Sequence, residues 1–195
     1  MQLPAGDQIL VQIMDRAFAD AARRAGSWLE CRRGCTQCCH GAFVVNALDA
    51  ARLRAGMNAL RAADYPRFEV VQQRALAWIF AHQADFPGDS GSGVLGRGEE
   101  EQERFEEFAN DDACPALDPL TGSCDLYAWR PMTCRVFGPP VQMEAGIGCC
   151  ELCFVGASEE QIAACAMEVP HAFEEKLLAL DESRDETVVA FALLR

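Results

Sequence analysis

Ten of the eleven cysteines in this 195-residue chain fall into three groups. The first group lies in the stretch CRRGCTQCC, the second is more widely spaced, and the third lies in CCELC. The members are Cys31, Cys35, Cys38 and Cys39; Cys114, Cys124 and Cys134; and Cys149, Cys150 and Cys153. Thiolates are soft ligands that suit zinc, iron and iron-sulfur clusters, and they do not suit magnesium or calcium. We therefore predict that these ten cysteines bind metal.

The spacing within the groups indicates how sulfurs could share an ion. Cys35 and Cys38 are separated by two residues, so one tight turn can present both sulfurs to the same ion, and the same holds for Cys150 and Cys153. Adjacent side chains usually diverge. We therefore expect Cys38 and Cys39 to serve two metals, or one metal and the core. Two four-thiolate sites would use eight of the ten cysteines, which predicts one or two centres.

The second group is predicted to be compact in space although it is scattered in sequence. The segment DPLTG at 118–122 is a strong turn signal. It would fold 115–118 back on 123–126 as a short β-hairpin, with Cys114 and Cys124 nearly opposite each other. A single helical turn from Tyr127, stopped by Pro131, would return the chain to Cys134. A pair of cysteines from this second group could then complete a metal coordination shell together with cysteines of the first group.

The charge and the N-terminal sequence exclude several classes of partner. The chain has 17 Lys and Arg against 30 Asp and Glu, a net charge of -13, which repels nucleic-acid phosphates and anionic lipids. We expect a metal ion as a partner and neither nucleic acid nor membrane, and the sequence leaves any protein partner unknown. The start has no signal-peptide pattern, and no eighteen apolar residues run together. We expect a cytoplasmic protein, in which thiols are reduced unless they are catalytic or bound to metal.

Hydrophobic periodicity predicts a mostly α fold. Helical patterns run over 7–29 with Asp7 as N-cap, from Asn46 as cap through Leu60, and from Asp64 as cap through His82. We predict a single domain over 1–195, in which helices pack around a cysteine-rich, loop-rich metal-binding region with a short β-hairpin. The cysteine motifs lie at 31–39 and 114–153.

The other segments are predicted from local signals. The glycine-rich stretch 87–98 is typical of a flexible loop. The acidic stretch 99–108 predicts a solvated helix with Phe105 and Phe108 turned inward. A capping box of Ser158 and Gln161 opens a helix over 158–167, and another helix follows Pro170 through Leu180. The final stretch ETVVAFALL mixes helical spacing with β-branched residues and is ambiguous.

Several other side chains near the cysteines have two interpretations. Arginines flank the cysteines at Arg32, Arg33, Arg130 and Arg135; they could offset the charge of a thiolate centre or be ordinary surface residues. His40 follows the first group, but with so many thiolates we expect it to be a neighbour and not a ligand. We expect His82 to be packed, His171 to face solvent and Cys165 to be a small buried hydrophobic residue.

Three stretches, CRRGCTQCC, CPALDPLTGSCDLYAWRP and TCR, resemble the YkgJ-type cysteine-cluster family. Its pattern is C-x(2,3)-C-x2-C-C, then C-P-x-L, then C-x-I-Y-x2-R-P-x2-C-R, with a further cysteine downstream. The chain departs from it with Leu126 in place of Ile, and with three candidates, Cys149, Cys150 and Cys153, for the last cysteine. The resemblance covers about 31–153. It implies chelation of zinc or iron and transfers no reaction.

Three functional classes account for these features. The first is a metal-binding protein that holds zinc or an iron-sulfur cluster in a structural, sensory or electron-transfer role. The second is a cluster-dependent enzyme, because Cys31, Cys35 and Cys38 have the C-x3-C-x2-C spacing of radical S-adenosylmethionine enzymes; against it, Gln37 replaces the usual aromatic residue and no β/α alternation follows. The third is a thiol-redox protein using Cys35 and Cys38, which lacks the required β-α-β pattern. We favour the first, and the metal's identity stays open.

Overall fold

The computed structural model describes residues 3–143, 146–170, 172–181, 183 and 185–194, and its regular structure is mostly helical. The helices are α1 (Asp7–Ala25), α2 (Ala47–Ala63), α3 (Tyr65–His82), α4 (Glu99–Glu106), α5 (Met132–Val136), α6 (Glu159–Ala164), α7 (Phe173–Leu180) and α8 (Val189–Ala192). Short 3-10 helices span Gly26–Trp28, Gln37–Cys39 and Tyr127–Trp129. The predicted mostly α class is confirmed.

Short strands form two-stranded antiparallel sheets within the described residues. The strands are β1 (Val44–Val45), β2 (Gly88–Asp89), β3 (Val94–Leu95), β4 (Leu117–Asp118), β5 (Ser123–Cys124), β6 (Val141–Met143), β7 (Gly146–Gly148) and β8 (Thr187–Val188). The pairs are β1 with β8, β2 with β3, β4 with β5, and β6 with β7. The predicted short hairpin is the β4–β5 pair. Among the described residues, no helix is both long and apolar enough to cross a bilayer.

The chain divides into two compact units. Unit 1 comprises Met1–Leu3, Thr36–Pro131 and Asp181–Arg195, and unit 2 comprises Pro4–Cys35 and Met132–Leu180. The boundary between Cys35 and Thr36 therefore separates the first cysteine group into two pairs. The assignment of 1–195 to a single domain stays a prediction, as does the position of His171, which lies outside the described residues.

Unit 1 has a core in which α2 and α3 pack against each other and against α8. Fully buried apolar side chains of these helices meet there, including Leu53 and Val71. Both predicted caps are confirmed, since Asn46 Oδ1 accepts the amide of Asp49 at 2.8 Å and Asp64 Oδ1 accepts that of Arg67 at 3.0 Å. These side chains satisfy amides that lack a partner within the helix, so both helices begin where the sequence predicts.

Three segments of unit 1 had weak or ambiguous signals in the sequence, and the structure shows which elements they form. The stretch 87–98 forms the β2–β3 hairpin, and the amide of Leu95 donates to the carbonyl of Glu186 at 2.9 Å; its predicted flexibility concerns motion and stays a prediction. Phe108 of the acidic segment is buried and Phe105 is partly buried, as predicted. The ambiguous C-terminus begins as strand β8 and continues as α8.

Unit 2 is built on α1, which packs against α5 and α7. Leu10, Met14 and Ala21 of α1 are buried in its core. The N-cap of α1 is Gly6, with φ at 107°, and not Asp7 as predicted; Asp7 lies in the first turn and is buried. A left-handed φ suits glycine, so the chain enters the helix one residue earlier than expected. The capping box of Ser158 and Gln161 is confirmed at the start of α6.

Candidate metal centre

A short antiparallel pairing brings the first and second cysteine groups together in unit 1. The amide of Cys114 donates to the carbonyl of Cys39 at 2.8 Å, and the amide of Gly41 donates to the carbonyl of Asp112 at 2.8 Å. His40 lies opposite Ala113 between these two bonds. The end of the first group and the start of the second are therefore side by side, in agreement with the proximity expected from the sequence.

The β4–β5 hairpin carries Cys124 back to the same place. Leu117 lies opposite Cys124 in the register, and the amide of Asp125 donates to the carbonyl of Ala116 at 2.8 Å. The prediction that Cys114 and Cys124 lie nearly opposite each other is therefore wrong for the strand register, because Cys114 precedes the first strand by a turn. The amide of Leu117 donates to the Cys114 carbonyl at 2.9 Å and closes that turn. The thiols of Cys114 and Cys124 nevertheless interact electrostatically.

Cys38 and Cys39 end the 3-10 helix Gln37–Cys39 and are joined by a side-chain hydrogen bond. The amide of Cys39 donates to the carbonyl of Thr36 at 2.8 Å, which closes this turn, and extended backbone follows at His40. The adjacent thiols therefore interact with each other, while the expectation that they serve two metals, or one metal and the core, stays a prediction. We call Cys38, Cys39, Cys114 and Cys124 the Cys39 cluster, because the thiol of Cys39 interacts with the other three.

The thiols of the Cys39 cluster differ in acidity. The hydrogen bond from Cys39 lowers the pKa of Cys38, and the nearby Arg130 guanidinium lowers it further, against the effect of burial. The same bond, together with burial and the neighbouring thiols, raises the pKa of Cys39. Burial raises the pKa of Cys114 to about 12 and also raises that of Cys124. Cys38 is therefore the thiol that most readily becomes a thiolate.

Two arginines place positive charge near the Cys39 cluster. The positive charge of Arg130, one of the arginines noted in the sequence, lowers the pKa of Cys38 and opposes the rise that burial causes in the pKa of Cys124. Its Cζ atom lies 4.1 Å from the centroid of the Tyr127 ring. The positive charge of Arg74 of α3 opposes the rise that burial causes in the pKa of Cys114 and of Cys124 in the same way. The sequence analysis did not identify Arg74 as a residue of the site. The available signal was the spacing of Arg67 and Arg74, which puts both on one helix face. The other flanking arginines differ, since Arg135 is buried in an ion pair with Asp15 at 2.6 Å.

The third cysteine group meets the first in unit 2. Cys31 forms a side-chain hydrogen bond with Cys153 and interacts electrostatically with Cys35 and Cys150. The amide of Cys153 donates to the carbonyl of Cys150 at 2.9 Å, so the C-x2-C spacing does form a tight turn. We call Cys31, Cys35, Cys150 and Cys153 the Cys31 cluster.

Backbone contacts hold the Cys31 cluster in place. The amide of Glu30 donates to Cys153 Sγ at 3.4 Å, and that of Phe154 donates to the carbonyl of Trp28 at 2.9 Å. Burial, followed by the charge and hydrogen bond of Cys153, raises the pKa of Cys31 to about 12. Burial also raises the pKa of Cys153. Cys31 and Cys153 are therefore protonated at neutral pH in the metal-free chain, and each would lose its proton to solvent when its sulfur binds a metal.

Two of the predicted ligands, Cys134 and Cys149, belong to neither cluster as defined above. Cys134 lies on α5 in unit 2, whereas Cys114 and Cys124, with which the sequence grouped it, lie in unit 1. Cys149 is exposed, and burial followed by the neighbouring Cys150 raises its pKa. Cys165 is buried in an apolar cluster with Phe154, which agrees with its predicted role as a hydrophobic residue.

The two described histidines have defined contacts, and their expected roles as non-ligands stay predictions. The Nδ1 atom of His40 lies 3.0 Å from the carbonyl oxygen of Thr36. His82 packs on the rings of Trp78 and Phe108, and its Nε2 lies 3.3 Å from Asp112 Oδ2.

The donor chemistry fits a soft metal, although the thiols are not gathered around a common point. Among the described Cys, His, Asp and Glu side chains, no three converge in the geometry of a metal site. The thiols instead meet through the Cys38–Cys39 and Cys31–Cys153 hydrogen bonds, and none of the eleven is in a disulfide. Both clusters offer only sulfur, which suits zinc or iron.

Comparison with known families decides what kind of domain carries these clusters. A family described as "CxxCxxCC: Putative zinc- or iron-chelating domain" matches residues 30–153. The chain belongs to the CxxCxxCC family. The match includes all ten grouped cysteines and ends at Cys153, so the CxxCxxCC domain draws on both units. Searches of curated proteins and of solved structures gave no match.

Proposed function

We propose that this CxxCxxCC protein holds two thiolate-bound metal centres, one in each unit. The Cys39 cluster supplies the ligands of the first, and the Cys31 cluster supplies those of the second. Cys134 and Cys149, the other two predicted ligands, are not needed for either four-thiolate set and are the alternative donors. The metal is zinc or iron, the latter as an ion or as an iron-sulfur cluster.

The observation that carries the proposal is the pairing of Cys39 with Cys114. It brings Cys38 and Cys39 of the first motif into one group with Cys114 and Cys124 of the second. Two motifs with unrelated roles would have no reason to place their thiols together. Four thiols gathered in this way have little use for packing alone, because aliphatic side chains pack as well. Metal binding uses all four sulfurs at once.

The role that best suits this arrangement is structural. The loops that carry the cysteines have short strands and 3-10 turns, and most of the buried apolar surface of each unit belongs to its helices. An ion bound by residues from separate loops would crosslink them, as structural zinc does in small domains. Arg130 and Arg74 would offset the negative charge of a four-thiolate centre. A sensory or electron-transfer role needs the same ligands and is decided by the metal.

The described architecture gives no support to the two alternatives. Its sheets are two-stranded and antiparallel, whereas a radical S-adenosylmethionine barrel and a thioredoxin-like fold both need parallel β-α-β units. We also propose a cytoplasmic location, because reduced thiols and metal centres of this kind are typical of a reducing compartment.

The test is anaerobic purification followed by metal analysis, native mass spectrometry and a visible spectrum. We expect two bound ions, or clusters, per chain. Brown protein with acid-labile sulfide identifies an iron-sulfur cluster, and colourless protein with zinc identifies the other case. Protein that carries no metal after anaerobic preparation, and takes up neither zinc nor ferrous iron when reduced, would disprove the proposal.

A further inference from the structure

Four charged side chains connect α3 to the hairpin that carries Cys124. They are Arg67 and Arg74 on the helix, Asp118 at the end of β4, and Asp125 directly after Cys124. Arg67 and Arg74 are separated by two helical turns and lie on one face. Asp118 ends the first strand and Asp125 directly follows the second, so one helix face contacts both sides of the hairpin.

Arg67 bridges the two strands with a single guanidinium. One of its terminal nitrogens lies 2.7 Å from Asp118 Oδ2 and 2.7 Å from Asp125 Oδ1. Its Nε also donates to Asp125 Oδ1 at 2.7 Å. Arg74 donates to the other oxygen, Asp125 Oδ2. Both oxygens of Asp125, the residue next to a cluster cysteine, are therefore held by α3.

Asp118 also fixes the turn of the hairpin. Its Oδ1 accepts the amide of Leu120 at 3.1 Å, and its Oδ2 accepts the hydroxyl of Thr121 at 2.6 Å. The carboxylates are largely removed from water, since the side chains of Asp118 and Asp125 are 5% and 7% exposed. An exposed ion pair contributes little to stability. A buried carboxylate, in contrast, needs its hydrogen-bonded partners, and removing one of them is strongly destabilising. We call these four side chains the α3 clamp.

We propose that Arg67 and Arg74 are positioning residues for the metal centre of the Cys39 cluster, acting through Asp118 and Asp125 on Cys124. The inference rests on the function proposed above and assigns a further role to residues outside the cysteine motifs. The hairpin has only two paired residues per strand, so its own ladder does little to fix it. The α3 clamp ties it to a helix whose Val71 and Ala75 are fully buried, so the hairpin is anchored to an element of the core.

Arg74 has a second feature that points to the cluster. Its Nε is buried and has no hydrogen-bond partner among the described residues, although its terminal nitrogen is engaged with Asp125. A guanidinium with a spare donor beside thiols is suited to donate to a thiolate once a metal has removed the proton. Groups of this kind, which orient metal ligands without binding the ion, typically change metal affinity by about 10- to 100-fold when they are replaced.

The test uses cobalt(II) as the probe in reduced, anaerobic protein, because its visible absorption reports thiolate ligation. Arg67→Gln should lower the cobalt affinity of the Cys39 cluster by about 10- to 100-fold. It should also speed release to a chelator and change the spectrum of that centre. Arg67→Lys should restore little of the cobalt affinity, because an ammonium group cannot reproduce the planar bridge between two carboxylates. The Cys31 cluster in the same molecule is the internal reference and should be unaffected.

Arg97→Gln is the matched control, because Arg97 lies in the same unit in an ion pair whose partners are 59% and 63% exposed. If Arg67→Gln folds poorly, Thr121→Ala removes only the hydroxyl bond to Asp118 and should weaken cobalt binding in the same direction. Cobalt binding of Arg67→Gln and Thr121→Ala equal to that of Arg97→Gln overturns the inference, as does an equal loss at both clusters. Failure of the proposed function has a different signature, in which Cys114→Ser and Cys124→Ser leave cobalt uptake unchanged.

Discussion

Cys39 and Cys114 are joined directly by their backbones, with the amide of Cys114 donating to the carbonyl of Cys39 at 2.8 Å. This bond makes the C-C pair of the first motif and the C-P-x-L segment of the second into one local structure. The hairpin that follows adds Cys124 to it. The relative positions of the four thiols in the Cys39 cluster are therefore set by a few backbone hydrogen bonds and by the α3 clamp.

Single cysteine substitutions should remove one metal centre at a time. Cys124→Ser should abolish the centre of the Cys39 cluster and leave that of the Cys31 cluster, and Cys31→Ser should do the reverse, because the two sets lie in different units. Native mass spectrometry of anaerobic protein gives the count. Cys165→Ala is the control, since Cys165 packs in an apolar cluster. Loss of metal from Cys165→Ala equal to that from Cys31→Ser would contradict the assignment of ligands.

Metal removal should loosen the cysteine-bearing loops more than the helices. The apparent free energy of zinc binding to small structural sites is about 10 to 16 kcal/mol, which is comparable to the whole stability of a domain. A strong chelator should therefore remove amide protection at Cys114, Asp125 and Cys153. Protection should persist at buried positions of α1 and α3. Hydrogen exchange of reduced protein with and without metal measures this, and equal protection in both states would show that metal does not order the loops.

Gly138→Ala should disturb the Cys31 cluster specifically. An added Cβ at Gly138 would lie 2.4 Å from Cys31 Sγ, and the residue has φ at +115°. Cys31 must then move, so metal content of this cluster should fall while that of the Cys39 cluster is retained. Gly156→Ala is the matched control, because Gly156 also has a positive φ, +82°, but has no atom within 4 Å of the added Cβ. Equal metal content in the two variants would refute a steric role for Gly138.

Acid should weaken unit 1 through Asp118. The hydroxyl of Thr121 and the guanidinium of Arg67 hold the pKa of Asp118 well below its usual range. A depressed carboxyl pKa stabilises the folded state above the ordinary value, and this contribution is lost as pH falls below about 4. The difference in free energy of unfolding between wild type and Asp118→Asn should therefore be constant above about pH 5 and shrink below about pH 4. Denaturant unfolding of the metal-free, reduced protein measures it; a difference that does not change with pH would show that Asp118 is not charged in the network.

The sequence alone determined the three long helices, the caps of α2, α3 and α6, and the family pattern. Asn46 and Asp64 cap α2 and α3 as predicted, and the capping box of Ser158 and Gln161 opens α6. Such features are encoded within one or two turns, where periodicity and capping chemistry act on near neighbours. The cysteine motifs are equally legible, because their spacing is local.

The tertiary structure decided which thiols meet and which charges serve them. It separated Cys35 from Thr36 at a unit boundary, joined Cys31 to Cys153, and placed Arg67 and Arg74 on the hairpin of Cys124. These contacts connect segments that are far apart in the chain, and each depends on how helices with no cysteine pack. Local spacing carries no information on that packing, because the free energy that selects it comes from the buried apolar surface of the whole unit.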